Sequence, residues 1–400
     1  MMTTSSLSRQ QLITELLTQG VNVVNPSAQH VSRHGGAGPS DHQAVTIDDV
    51  TVMVPIYTRT ARDSAWQVQH AGQGKTTLLK NSIPVRDITF ARKPKFYDLQ
   101  TEDGVPYSHI ATLHGTDVLA TTVLQTCIRY ENRRKACQFC AIGQSLAAGR
   151  TIARKTPQQL AEVAKAAVEL DGVKHMVMTT GTPSGSDRGA RILVESALAI
   201  RAAVDLPLQG QCEPPGDPRW FNRMKEAGID ALGMHLEAVT PAVRARIMPG
   251  KAQVTIEQYL IAFEQAVAVF GRGQVSTYIL AGMGDTPDAI LAISEKLIAL
   301  GVYPFVVPFV PISGTPLEHH PAPDAAFMAS ILEPLSRMLR KGQLRSADIK
   351  AGCGRCGACS SLASYEKAGE QQTGPEARGD KRPAFETPRF DLSALKTARA

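Results

Sequence analysis

The sequence has no apolar run approaching the length needed to span a bilayer, which excludes a protein built on membrane-spanning helices. Its start, MMTTSSLSRQQLITELL, lacks the basic-then-apolar order of a signal peptide, so a cytoplasmic location is expected. No block of one charge occurs either. The 43 basic and 37 acidic residues leave a net charge of +6 that is spread along the chain, which gives no reason to expect a nucleic-acid partner. Cysteine is scarce, with seven in 400 residues. Thiols stay reduced in the expected compartment, so cysteines that cluster there point to metal or redox chemistry before structural disulfides.

What is present is ordinary for a soluble globular chain: 43% hydrophobic and 20% charged residues, in a length able to bury one large core with appendages. The expected division is a β-rich N-terminal subdomain with a mobile loop over residues 1–115, a barrel over 116–345, and a cysteine-bearing segment with a disordered tail over 346–400. In the first part, a short amphipathic helix is expected around Leu12 to Leu17, then a Gly-, Ser- and His-rich loop, NPSAQHVSRHGGAGPSDHQ. Short strands are expected over 46–57 and within about 83–115.

From Val118 the pattern becomes strand, loop and helix in regular alternation. Strands are expected at 118–126, 173–180, 206–211, 230–236, 274–280 and 302–310. Helices are expected near 157–170, 190–203, 218–227, 241–247, 256–270, 287–300 and 325–340. Thr156-Pro157, Thr240-Pro241 and Thr286-Pro287 each put a hydroxyl at an N-cap and proline at the first helical position, and Gly172 and Gly301 close two helices. Six strands each followed by a helix predict a partial (β/α)6 barrel of the TIM type, whose functional groups gather on the loops after the strand C-termini. Beyond ASYEKAG the chain turns polar and proline-bearing, and disorder is expected from about residue 366.

Six of the seven cysteines fall in two triads. Cys127, Cys137 and Cys140 follow the first expected strand in CIRYENRRKACQFCAIG, and Cys353, Cys356 and Cys359 lie in GCGRCGACSS. Three thiolates leave a tetrahedral ion one ligand short, and no histidine stands near the first triad before His175. A [4Fe–4S] cluster tolerates the missing protein ligand.

At this point the stretch resembles the radical SAM superfamily, which holds a cluster on three cysteines in the loop after barrel strand one. CQFC matches the second half of that motif with Phe139 in its aromatic place, while the first gap is expanded to nine residues, IRYENRRKA. Further strand ends are similar to the biotin-synthase-like branch. Thr180, Gly181 and Thr182 occupy the turn that meets the amino group of S-adenosylmethionine, without the usual glutamate. His235 and Glu237 stand where an Asn-x-Asp pair meets the ribose, and Arg246 is placed for the methionine carboxylate. Gly282 in STYILAGMGDT gives adenine a close approach to backbone, Gln211 and Glu213 project onto the same face, and VPFVPISGTPLE resembles the branch's last strand end.

Cysteine spacing, TTGTP, HLEAVTPAVRARIMPGK and the terminal GCGRCGACS together resemble the radical SAM protein of nitrilase-linked gene clusters associated with cyanide assimilation. The resemblance implies reductive cleavage of S-adenosylmethionine to begin radical chemistry on a small-molecule substrate, with a flavodoxin or ferredoxin as electron donor. Sulfur insertion at an auxiliary cluster, or a zinc-stabilised binding module, are the alternatives.

Three features are read apart from this. The second triad suits an auxiliary iron–sulfur cluster, zinc or a redox-active tail. Cys212 reads as a small buried apolar residue. HAGQGKTTLL imitates the end of a P-loop, but Gln69 stands where the motif needs glycine.

Overall fold

The computed structural model describes residues 7–23, 41–71 and 75–372. The expected mobile loop lies almost entirely outside them, as does the chain beyond residue 372. The helix Arg9–Gln19 opens on a capping box between Ser8 and Gln11, which satisfies two orphan backbone donors reciprocally. It buries Leu12, Ile13, Leu16 and Leu17 against a five-stranded antiparallel sheet of order β2-β1-β5-β4-β3. Its strands are β1 (His42–Ile47), β2 (Val50–Pro55), β3 (Trp66–Ala71), β4 (Lys75–Lys80) and β5 (Ile83–Phe90). The P-loop imitation falls on the antiparallel pair β3 and β4: Gln69 lies in β3, and Lys75 and Thr76 lie in a strand where a P-loop would begin a helix.

The second sheet has seven strands in the order β12-β11-β10-β9-β8-β7-β6. A short β6 (Thr112–His114) runs antiparallel to β7 (Val118–Leu124). The parallel series continues through β8 (His175–Thr180), β9 (Leu208–Gln211), β10 (Ala231–Gly233), β11 (Val275–Ala281) and β12 (Val302–Pro308). This is the partial (β/α)6 barrel that the alternation predicts. Helix Pro157–Asp171 buries Leu160, Val163, Ala164 and Ala167 as one face against the sheet. Gly172 and Gly301 close their helices in the left-handed region, with φ of 66° and 90°.

Three expectations change. Strand β10 is only three residues long, because beyond Gly233 side chains interrupt the backbone ladder: the Leu236 amide donates to Thr277 Oγ1 at 2.9 Å and the Tyr278 amide to His235 Nδ1 at 3.1 Å. Thr240 gives no side-chain cap to its helix; its hydroxyl donates to Asp285 at 2.6 Å, a charged and therefore stronger acceptor. The loss of order expected from about residue 366 does not occur there, since Leu362–Gln372 is helical and packs against the helix Ala325–Lys341.

The segment between those two helices plugs the barrel. Six strands do not close on themselves, so β12 has a strand neighbour on one side only. On its other side the Ser360 hydroxyl donates to the Val306 carbonyl at 2.6 Å, and the Met53 amide of the first sheet donates to the Ala358 carbonyl at 2.7 Å. Replacing Ser360 by alanine leaves a buried carbonyl unsatisfied. Denaturant titration of Ser360→Ala is expected to show a loss of about 1–3 kcal/mol, whereas an unchanged midpoint would mean that the segment is not held at β12.

Candidate functional site

The barrel lumen is a cavity of about 340 Å³, walled by Val118, Ala120 and Thr122 of β7, Val177 of β8 and Phe305 of β12. The period of two along a strand turns alternate residues of β7 inward. Both cysteine triads open on this one cavity: Cys140 and Phe139 line it, and so do Cys353, Cys356 and Cys359.

The first triad sits on the loop after β7, beyond the strand C-termini. Three backbone bonds pin the loop to its neighbours, the turn after β8 and the end of the helix Pro241–Ile247 with the residues that follow it: Ile128 N–H to Thr182 O at 3.0 Å, Gln138 N–H to Ile247 O at 2.8 Å, and Gly250 N–H to Lys135 O at 3.0 Å. Gly181 is required here, because a Cβ on it would lie 2.1 Å from the Thr126 carbonyl oxygen and 3.1 Å from Cys127 Cβ. Cys137 and Phe139 pack on an apolar group that includes Met248, Met283 and Phe309. Burial pushes the Cys140 thiol up to about 12, and burial followed by the Glu237 charge holds Cys137 well above the ordinary thiol value. Thiols held so high are inert neutral groups unless a metal displaces their protons.

Two buried ion pairs flank these thiols. Arg129 grips Glu213 through two bonds of 2.7 Å and also donates to the Gly250 carbonyl, while Thr182 donates to Glu213 at 2.8 Å. Burial alone would raise Glu213, but the hydrogen bonds and charges of Arg129, Lys251 and Thr182 bring it below its ordinary value. Lys251 donates to Glu237 at 2.8 Å. Burial lowers Lys251, and the charge of Glu237, reinforced by Tyr259 and Glu213, more than reverses this. His235 is driven down to about 3, by burial and then by Lys251, so it is neutral. Its Nδ1 accepts from the Tyr278 amide at 3.1 Å, which leaves the proton on Nε2.

The second triad enters the lumen from the opposite end. The Gly352 amide donates to Nδ1 of His175, the first residue of β8, and the Cys353 amide donates to Gln209 Oε1, both at 3.2 Å. Gln211 Nε2 donates to Cys353 Sγ at 3.2 Å, and Cys359 Sγ lies 3.5 Å from His114 Nε2. Burial, and then the nearby thiols of Cys359 and Cys353, hold the Tyr278 hydroxyl well above the usual phenol value, and that hydroxyl hydrogen-bonds Cys359.

The structure therefore brings Phe139, Thr180, Gln211, His235, Glu237 and four cysteines to one cavity, whose lining does not include Cys127, Cys137, Gly181, Thr182 or Glu213. It does not bring Arg246 there. That guanidinium donates to the Met283 carbonyl at 2.9 Å on an exposed helix face. Nor does Gly282 face the lumen, since a Cβ on it would lie 2.8 Å from Pro323. Cys212 is buried outside the cavity lining, with burial raising its thiol to about 12. Sequence reading missed Arg129, Lys251 and His114, whose partners lie 84, 14 and 245 residues away in the chain. A cation in a loop carries no sign of such a partner, although the excess of arginine in RYENRRK was itself a cue.

All seven cysteines are free thiols. Among the described residues no three His, Cys, Asp or Glu side chains converge where a single metal ion would sit. In an iron–sulfur cluster the ligating thiolates are shared out over several irons. The donor chemistry at the first triad fits such a cluster.

The Arg129–Glu213 pair is almost wholly removed from solvent, with 11% and 6% of the two side chains exposed. Breaking one side of such a pair strands a buried charge and costs about 3–5 kcal/mol. Arg129→Met is expected to lower stability on that scale in denaturant unfolding. In the wild type, the contribution of Glu213 is present above its ordinary value of 4.5 and lost as pH falls through its lower folded value. A variant as stable as wild type at neutral pH would show that the pair does not organise this end of the barrel.

The radical SAM superfamily family profile matches residues 132–297, a range that begins after Cys127 and includes Cys137 and Cys140. The bacteriochlorophyllide c C-7(1)-hydroxylase of Chlorobaculum limnaeum is 27% identical over 233 residues, covering 54% of this chain and 58% of that one. The mitochondrial lipoyl synthase of Lachancea thermotolerans is 27% identical over 173 residues, covering 42% and 44%. The chain thus spans about half the length of these curated relatives. The crystal structure of methylornithine synthase superposes with a TM-score of 0.45 at 17% identity, covering 62% of this chain and 69% of that one. Among the described residues no helix is long and apolar enough to cross a membrane. With three thiols on the loop after the first barrel strand and the family profile laid over that barrel, residues 132–297 form a radical SAM superfamily domain.

Proposed function

We propose that Cys127, Cys137 and Cys140 hold the [4Fe–4S] cluster that the superfamily implies, and that the residues around them bind S-adenosylmethionine at the cluster's open iron. The observation that carries this is three thiols at the mouth of the lumen, among the charges of Glu237, Lys251 and Arg129. When bound, the two cofactors supply reductive S-adenosylmethionine cleavage and so start radical chemistry.

The protein's own part is binding, orientation and exclusion of water. Glu237, steadied by Lys251, accepts from the ribose hydroxyls, and neutral His235 offers its Nε2–H beside it. Thr180 lines the cavity and donates to the Gly181 carbonyl at 2.8 Å, which leaves its oxygen lone pairs to accept from the methionine ammonium. The substrate is a small molecule lying in the lumen, whose largely apolar wall keeps solvent from reactive species. Cys353, Cys356 and Cys359 hold a second iron–sulfur centre at the far end of the same cavity. Exposed Arg133, Arg134 and Lys135 on the first-triad loop suit an acidic electron donor such as a flavodoxin or ferredoxin. A pathway linked to a nitrilase, in cyanide assimilation, is the setting that the sequence resemblance favours.

Sulfur insertion is the second reading, favoured by the placement of the second triad on the substrate cavity and by the likeness to a lipoyl synthase. It differs in one respect: the second centre would be consumed with turnover.

Anaerobic reconstitution is expected to give a brown protein that cleaves S-adenosylmethionine, and the Cys127→Ala, Cys137→Ala, Cys140→Ala variant should lose that activity and the corresponding iron. Glu237→Ala should keep its iron and bind S-adenosylmethionine more weakly, by about 1.5–3 kcal/mol in a calorimetric titration. Cleavage that survives the triple substitution would remove the first triad from this role, and unaltered binding would remove Glu237 from the ribose.

A further inference from the structure

His114 is the last residue of β6, buried where the hairpin into β7 meets the end of the lumen. Its Nε2 lies 3.5 Å from Cys359 Sγ. Two ligands on one tetrahedral metal, with sulfur at ~2.3 Å and imidazole nitrogen at ~2.0–2.1 Å, stand about that far apart. The other two thiols form a second pair. Cys353 and Cys356 occupy one turn of helix, three residues apart and hence on one face, with the Cys356 amide donating to the Gly352 carbonyl at 2.9 Å. The pairs adjoin, since a Cβ on Gly115, the residue after His114, would lie 3.9 Å from Cys356 Sγ.

We infer that His114 is the fourth protein ligand of the second centre, sharing one iron with Cys359 while Cys353 and Cys356 hold the other in a [2Fe–2S] cluster. This rests on the reading of the second triad as an iron–sulfur site and adds its nuclearity, its full ligand set and its character. Cys353 and Cys356 on one helical turn, and Cys359 beside His114, offer two pairs of donors, the arrangement by which a binuclear centre is held.

A neutral imidazole in place of a thiolate makes the cluster less negative and raises its potential. Gln211 donating to Cys353 at 3.2 Å and the Tyr278 hydroxyl on Cys359 act in the same direction, because hydrogen bonds to ligand sulfur stabilise the reduced state. With four protein ligands, the centre has no open iron position for substrate.

The test uses the full chain with Cys127, Cys137 and Cys140 replaced by alanine, reconstituted anaerobically with iron and sulfide, so that only the second centre contributes. About two irons per chain are expected, with pulsed electron paramagnetic resonance of the reduced protein showing the nitrogen coupling of an iron-bound imidazole. Adding His114→Cys should retain the iron and abolish that coupling, and adding His114→Ala should lower the iron. A cluster with no nitrogen coupling, or with coupling that persists in His114→Cys, overturns the ligand assignment and leaves the second centre standing. Zinc, or no bound metal, in the cysteine-to-alanine background overturns both.

Discussion

Six parallel strands cannot close a barrel, and the rest of this molecule is arranged around that incompleteness. An eight-stranded barrel fills its lumen with side chains. Here β12 keeps an unpaired side, and the lumen is left as a cavity that needs a lid at each end. One lid is the long loop after β7 with its three thiols. The other is the segment from Gly352 to Leu362, tied to β12 by Ser360, to β8 and β9 by His175 and Gln209, and to the N-terminal sheet by Met53. The N-terminal sheet thus has a definite task, since it backs the segment that carries the second triad.

The polar groups at the two ends obey different rules. Around the first triad they are charged and paired, and one pair, Arg129 with Glu213, joins residues 84 apart, so it forms only once β7 to β9 lie side by side. Such pairs add little net stability against apolar replacements, but losing one member is costly, which makes them devices for fixing geometry. Glu237 illustrates the point. It sits at φ 63°, a strained setting for a residue with a side chain, and is held by backbone bonds to Tyr278 and Leu280 and by Lys251. Around the second triad the partners are neutral: an amide, a phenol and histidines. Neutral donors suit a centre whose electron count matters more than its capacity to bind a charged ligand.

Much of this was legible in the sequence. Thr156-Pro157 and Gly172 bracket a helix observed at Pro157–Asp171, and the six parallel strands begin within two residues of where alternation put them. The first triad, Phe139, Thr180, His235 and Glu237 could be singled out because strand ends carry local motifs, and Cys140 and the four other residues line the cavity. What local pattern cannot hold is pairing across the chain. Arg246 looked suited to an anionic ligand, yet it faces out to the Met283 carbonyl, while Arg129, unremarkable in its loop, meets Glu213. The place of the second triad in the fold was not legible, because GCGRCGACSS is mostly glycine and small residues with no periodic apolar pattern. Those same residues let it enter the lumen, where a Cβ on Gly352 would lie 2.1 Å from Gln209 Cδ.

Both triads reach one cavity, and on the proposed function each carries iron. Anomalous diffraction at the iron edge from crystals of the anaerobically reconstituted protein tests it most directly. The account predicts two separate iron peaks at opposite ends of the barrel lumen, one among Cys127, Cys137 and Cys140 and the other between the Cys353–Cys356 turn and His114. A single peak, or a second peak that appears only at the zinc edge, would contradict it.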